Sequence, residues 1–160
     1  MTSRPETPDG NAFLLAVDVG LYTGLAFFDR SARLLWYRSH HPAGPQQLKR
    51  LAAKLLRTPP RPTHLVYEGG GPLAEIWEKA AGDLAIHHRQ VQAEQWRQRL
   101  FHARQHSSSA VAKREAIDQA RSLIRHLGGK NPTTLRHDTA EAILIGTYAL
   151  LELGWLTHLP

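Results

Sequence analysis

The apolar run at residues 13–17, FLLAV, constrains the fold more than any other feature of the sequence. A continuous apolar run of this length is typical of a strand that is buried on both faces and therefore lies at the centre of a sheet. The next residue is Asp18. A carboxylate at the end of a buried strand loses hydration, so it requires a positive partner. The run thus predicts a central strand with an acid at its carboxyl end.

The pattern of apolar residues along the chain predicts a mixed α/β sheet. Two β-type runs, 23–29 and 33–38, are separated by only three residues, which predicts an antiparallel meander with the first strand. Beyond them we expect a helix over 46–57, a strand over 63–68, a short helix over 73–80, a strand over 84–91 and helices over 95–102, 112–127 and 138–153. Helices therefore join the later strands as crossover connections.

The composition excludes several classes of site. Cysteine is absent, which rules out disulfide frameworks, thiolate nucleophiles and cysteine-based zinc sites. No run of about 18 apolar residues occurs, and residues 1–11 are polar and rich in proline, so we expect neither a transmembrane helix nor a secretory signal. These features favour a cytoplasmic location, in a bacterial cell or a phage-infected host.

Positive charge is concentrated in one segment. The net charge of the 160 residues is +6, and residues 89–136 carry ten basic residues against three acids. The rest of the chain is nearly neutral. A basic segment on a near-neutral body predicts a polyanionic partner, nucleic acid above all, although an arginine-rich soluble protein would also show this balance.

Carboxylates are the best candidates for chemistry. Asp18 ends the first predicted strand, Glu68 ends the fourth, and Asp138 and Glu141 lie on one face of the first turn of the last helix. If the two strands are neighbours and the helix begins over them, four acids converge. Oxygen-only ligands suit Mg²⁺ or Mn²⁺, and two such ions flanking a phosphate are a standard device for phosphodiester hydrolysis.

Each acid taken alone also has a purely structural interpretation. Asp138 and Glu141 fit a capping box, which requires only backbone amides. Asp18 fits a turn before Gly20, and Glu68 fits a polar strand end. The combination of all four in this element order is what favours a metal site.

Three segments carry a resemblance to a known family. They are residues 15–20 (LAVDVG), 65–68 (LVYE) and 137–142 (HDTAEA). With them, the chain resembles a Holliday-junction resolvase of the RuvC type, in the ribonuclease-H-like superfamily, from about residue 13 to 153. The resemblance implies an α/β, ribonuclease-H-like fold: a five-stranded mixed sheet, its first three strands antiparallel, flanked by helices. That nuclease domain would span 12–155, after a flexible lead at 1–11 and before a short tail at 156–160.

The resemblance also implies roles for individual residues. Asp18, Glu68, Asp138 and Glu141 fall on the family's four metal-binding acids, which implies two Mg²⁺ ions per active site, with Mn²⁺ as a substitute. Glu141 is longer than the aspartate that the family often has there. Lys113 falls where the family has a lysine facing the scissile phosphate, although a solvated lysine at a helix start would look the same.

The resemblance further implies a homodimer and paired nicks across a four-way junction. The helix over 73–80 would lie at the dimer interface, through Leu73, Ile76, Trp77 and Ala80. Some resolvases carry an aromatic residue shortly after the catalytic glutamate, where this chain has glycine and proline at 69–72. Trp77 and Trp96 are candidate substitutes, although a tryptophan at helical spacing more often belongs to a core.

Several arginines are candidate phosphate contacts. On a predicted helix, Arg114, Arg121 and Arg125 share one face, which would also suit a solvated amphipathic helix. The full set of nucleic-acid-binding candidates is Arg97, Arg99, Arg104, Lys113, Arg114, Arg121 and Arg125.

The leading hypothesis is a metal-dependent, structure-selective endonuclease that resolves four-way DNA junctions in recombination and repair. Two alternatives remain open. The chain could be a ribonuclease-H-like enzyme acting on RNA–DNA hybrids or branched RNA. It could also be a non-catalytic junction-binding protein, in which the acids are only caps and turn residues.

Overall fold

The computed structural model describes residues 11–101 and 109–160, and within them five strands form one sheet. The strands are β1 (Phe13–Asp18), β2 (Thr23–Asp29), β3 (Leu34–His40), β4 (His64–Glu68) and β5 (His87–Val91). Their order across the sheet is β3-β2-β1-β4-β5. β1 is therefore central, as its continuous apolar run predicts.

The sheet is mixed in direction. β1, β2 and β3 are antiparallel neighbours, whereas β1, β4 and β5 are parallel. In this register Asp18 lies directly opposite Glu68, so the carboxyl ends of β1 and β4 meet at one edge. The predicted ribonuclease-H-like sheet, with its first three strands antiparallel, is confirmed.

Helices cover both faces of the sheet. They are α1 (Pro45–Arg57), α2 (Gly71–Asp83), α3 (Ala93–Leu100), α4 (Ser109–His126) and α5 (His137–Glu152). Leu15 and Val17 face a core shared with α1 and α2, whereas Leu14 and Ala16 face a core shared with α3, α4 and α5. Both faces of β1 are therefore buried, which explains why its sequence does not alternate.

Some boundaries differ from the predicted ones. β5 begins at His87 rather than 84, because Leu84 and Ala85 form a turn in which Ala85 has a φ of 55°. α4 begins at Ser109 rather than 112. After α5, Leu156 and Leu159 pack against the core, so the chain from 156 onward remains attached to the domain. None of the helices in the described ranges is both long enough and apolar enough to cross a membrane.

α5 lies very close to the sheet. A Cβ atom on Gly24 of β2 would lie 1.9 Å from the carbonyl oxygen of Asp138, and one on Gly146 would lie 2.2 Å from the Phe28 ring. Neither contact leaves room for a side chain. These two glycines therefore set the distance of α5 from the strands, and with it the position of the acids in its first turn.

We predict that Gly146→Ala destabilises the protein by about 1–3 kcal/mol, because the added methyl group overpacks against Phe28. The matched control is Gly82→Ala, in α2, where an added Cβ meets nothing within 4 Å. Because alanine favours a helix, this control should be stabilised by roughly 0.5–1 kcal/mol. Urea unfolding measures both changes, and equal effects of the two substitutions would contradict the close contact.

Candidate functional site

Three carboxylates meet at the edge of the sheet where β1 and β4 end. Asp18 and Glu68 are the last residues of these strands, and Glu141 lies in the α5 segment above them. Each offers an oxygen atom, and these oxygens all lie within 4.8 Å of one another. The predicted convergence of the strand ends and the last helix is therefore present in the structure.

Burial and mutual repulsion disfavour the ionised form of the central acid. Burial, and then the charges of Glu141, Glu68 and Asp138, raise the pKa of Asp18 from its ordinary value of 3.8 to about 8. Burial also raises the pKa of Glu68 and that of Glu141. Because the pKa of Asp18 is higher in the fold than in the unfolded chain, its contribution to stability falls as pH rises from about 4 to 8 without a cation.

Asp138 is close to the cluster but its oxygens have other partners. The Ser39 hydroxyl donates a hydrogen bond to Oδ2, and the Arg136 Nε lies 3.4 Å from Oδ1. Asp138 is nevertheless near enough to raise the pKa of Asp18. The carboxylate oxygens of three of the four predicted acids therefore lie close together, and the fourth acid, Asp138, lies beside them.

The capping interpretation of the α5 acids does not match the structure. The N-cap residue of α5 is Arg136, and the helix has no side-chain capping hydrogen bond. Glu141 is bound instead by Arg97 and His137. Both α5 acids are more than nine-tenths buried, which is unusual for helix-terminal carboxylates that serve only as caps.

Basic side chains from α3 and from α5 itself contact the cluster. The Arg97 Nη2 lies 3.1 Å, and the His137 Nε2 3.0 Å, from Oε1 of Glu141. Lys113 of α4 is near enough to lower the pKa of both His137 and Glu141. Burial lowers the pKa of His137 as well, which favours the neutral ring as a donor. A cation bound by Glu141 would therefore compete with Arg97 and His137.

Trp96 has a role that the sequence pattern did not indicate. Its indole is fully buried, and Nε1–H donates a hydrogen bond to Oε2 of Glu68 at 3.0 Å. The neighbouring Arg97 guanidinium lies 4.9 Å from the Trp96 ring centroid. α3 therefore presents two consecutive residues to two different acids. The one sequence feature that points toward this role is the adjacent tryptophan and arginine at 96–97, in a basic helix that follows β5.

The remaining basic candidates lie at different places on the surface. Arg99, Arg114 and Arg125 are exposed, whereas Arg121 is half-buried. Burial raises the pKa of Tyr37, and the charge of Arg121 partly opposes that rise. Arg104 lies outside the described residues. Among the candidates that the structure describes, Arg97 and Lys113 are the ones whose charges act on Glu141.

The predicted interface residues on α2 separate into two groups. Leu73, Ile76 and Ala80 are half-buried and line a groove together with α1. Trp77, in contrast, has no exposed surface, because its indole packs in the core beneath α2. Trp77 therefore belongs to the core, and an interface on this helix would use the other three residues.

The donor set of the cluster fits a divalent cation. Asp18, Glu68 and Glu141 offer only carboxylate oxygens, which are the ligands preferred by hard divalent ions. A bound cation would also stabilise the ionised form of Asp18, which burial and repulsion otherwise disfavour.

Solved structures share this fold at low sequence identity. RuvC of Thermus thermophilus, in a complex with a Holliday junction substrate, is 19% identical with a TM-score of 0.62 over 89% of this chain and 96% of that one. The Fowlpox virus Holliday junction resolvase is 18% identical with a TM-score of 0.63, over 88% and 99%. No protein-family model and no curated protein matches the sequence. The two structural matches show that the chain has the RuvC-type, ribonuclease-H-like fold.

We predict that Trp96→Phe weakens Mn²⁺ binding by about 10-fold or more, because partners that orient a metal-binding group typically contribute 10–100-fold in affinity. The substitution keeps an aromatic ring in the core but removes the N–H that holds Glu68. Isothermal titration calorimetry measures the affinity.

The matched control is Trp77→Phe. Trp77 is equally buried, and its indole N–H meets no hydrogen-bond acceptor in the described part of the chain. This variant should bind Mn²⁺ as the parent protein does. Equal affinities for all three proteins would mean that the bond from Trp96 does not orient Glu68.

Proposed function

We propose that the protein is a divalent-cation-dependent endonuclease that cuts four-way DNA junctions. The observation that carries this proposal is the meeting of Asp18, Glu68 and Glu141 at one sheet edge. The fold supports the same assignment, since two solved structures with this fold are described as Holliday junction proteins.

The carboxylates would hold the cation, with Mg²⁺ as the expected ion and Mn²⁺ as its substitute. Asp18, Glu68 and Glu141 would be its ligands, and Asp138 would add an oxygen for a second ion. When bound, the ions would supply Lewis-acid stabilisation of the phosphodiester group and activation of water. Trp96 would hold Glu68 in position throughout the reaction.

Arg97 and Lys113 would bind the phosphate that is cut. Arg97 contacts Glu141 through a side chain that remains 45% exposed, so it can move from the carboxylate toward a DNA phosphate. A guanidinium suits this role because it binds phosphate oxygens through paired hydrogen bonds. Lys113 approaches the cluster from α4 as a second positive charge. His137 would orient Glu141 through its Nε2.

The exposed arginines would contact the DNA arms. Arg99 on α3 and Arg114 and Arg125 on α4 are exposed. Contacts to phosphate supply affinity without reading sequence. Binding of this kind weakens steeply with added salt, because counterions are released.

A homodimer would match the symmetry of the substrate. A four-way junction offers two symmetry-related strands, and a two-fold dimer would place one acid cluster at each. The α1–α2 groove lined by Leu73, Ile76 and Ala80 is the surface that we assign to this contact. Paired, symmetric nicks follow from that arrangement.

We predict that Glu141→Gln lowers the rate of junction cleavage by at least about 100-fold, because it removes a cation ligand. The control is Glu152→Gln, which changes an exposed acid at the opposite end of the same helix. It should cut at the parental rate. End-labelled four-way junction, linear duplex and RNA–DNA hybrid of identical sequence are incubated with Mg²⁺, Mn²⁺ or chelator.

Paired nicks on the junction alone, absent in chelator and in Glu141→Gln, would support the proposal. Cleavage of the RNA–DNA hybrid instead would still support the cation site, but would identify the hybrid as the substrate in place of the junction. Tight junction binding without nicks in any cation would favour the non-catalytic alternative and contradict the proposal that the protein is an endonuclease.

A further inference from the structure

Two consecutive apolar residues are exposed next to the acid cluster. Among the large hydrophobic residues in the ranges 11–101 and 109–160, Leu21 is the most exposed, at 72%, and Tyr22 follows at 48%. They lie in the turn between β1 and β2, directly after Asp18, Val19 and Gly20. Turn positions normally carry glycine, asparagine, aspartate or serine, so an exposed leucine–tyrosine pair is not explained by the turn.

The turn that carries them is held at both ends. The Val19 amide donates a hydrogen bond to the Glu68 carbonyl at 3.0 Å, and the Thr23 hydroxyl donates to the Gly20 carbonyl at 3.3 Å. Thr23 is itself fully buried. The two apolar side chains are therefore presented on an anchored support.

The ring of Tyr22 is held by stacking. The His41 ring stacks on it with centroids 4.2 Å apart, and the Arg136 guanidinium lies 4.6 Å from its centroid. Arg136 also contacts Asp138. Contacts through Arg136 thus connect Tyr22 to Asp138 of the candidate site. Nearly half of the tyrosine surface is still exposed.

The pair lies within a few base steps of the acids. Gly24, two residues after Tyr22, is paired with Asp18 and touches the Asp138 backbone. Two residues span at most about 8 Å, and bases in one strand repeat every 3.4 Å or so. A nucleotide held at the acids would therefore have neighbours that reach Tyr22.

We propose that Leu21 and Tyr22 form a binding surface for an unstacked nucleobase at the branch point of the DNA, and this inference rests on the proposed function. The exposed part of Tyr22 packs against the base, and Leu21 fills the gap that the base leaves in the helix. Aromatic and apolar side chains bind displaced bases in this way without reading their sequence.

Charge favours a nucleic acid over a second copy of the chain. Arg136 flanks the pair and attracts the phosphates that accompany a base. In a two-fold contact through the same patch, the Arg136 side chain of one copy would approach that of the other. That repulsion disfavours self-association through Leu21 and Tyr22.

The test places 2-aminopurine, whose fluorescence depends on stacking, at the branch point of a four-way junction. Binding is followed in chelator, so that the DNA stays intact. The parent protein is compared with the double variant Leu21→Ala and Tyr22→Ala, and with Leu153→Ala, which shortens an exposed leucine beyond the far end of α5. Sedimentation and thermal melting monitor assembly and folding.

The parent and Leu153→Ala should change the fluorescence and prefer the junction over a duplex. The double variant should lose the fluorescence change and about 10-fold of that preference, because the contact with the displaced base is lost. Its dependence on salt should not change, since the phosphate contacts remain.

A double variant that keeps both the fluorescence change and the preference would overturn the inference while leaving the proposed function intact. A double variant that changes from dimer to monomer would overturn it as well, by identifying the patch as a protein interface. A parent that does not distinguish junction from duplex would contradict the proposed function itself.

Discussion

Asp18, Glu68 and Glu141 repel one another at one largely buried edge of the sheet, and several neighbouring side chains hold them there. Trp96 holds Glu68, while Arg97 and His137 hold Glu141. Each contact offsets part of the cost of bringing like charges together, yet the pKa of Asp18 remains raised to about 8. The fold thus maintains a cluster that is costly to charge, and such clusters are more common at functional sites than elsewhere in proteins.

The position of Glu141 in this cluster depends on how closely α5 packs against the sheet. β1 and β4 place two acids side by side through their parallel register, but the third comes from a helix on one face of the sheet. Gly24 and Gly146 allow that helix to approach the strands without side chains between them. A larger residue at either position would shift Glu141 relative to Asp18. The core therefore determines the geometry of the site, in addition to the stability of the domain.

Much of this arrangement could be predicted from sequence, and the parts that could not have physical reasons. The apolar run before Asp18 predicted a central strand, and the spacing of strands and helices predicted the convergence of acids. The hydrogen bond from Trp96 and the partners of Asp138 could not be predicted, because the first depends on how α3 packs against β4 and the second on how β3 packs against α5. Trp77 and Trp96 look alike in sequence, yet one is only core and the other holds Glu68. Propensity does not distinguish them, because the difference is that the Trp96 indole meets the Glu68 carboxylate, whereas the Trp77 indole meets no acceptor among the described residues.

The most direct test of the carboxylate cluster as a cation site is the number of protons released when Mn²⁺ binds. Calorimetric titration at pH 7 in two buffers with different ionisation enthalpies gives this number. With the pKa of Asp18 at about 8, the acid is mostly protonated at this pH, so binding should release about one proton. Asp18→Asn should lose both the release and most of the affinity, whereas Asp83→Asn, an exposed change on α2, should keep both. Mn²⁺ binding that survives Asp18→Asn without a change in proton release would contradict the account.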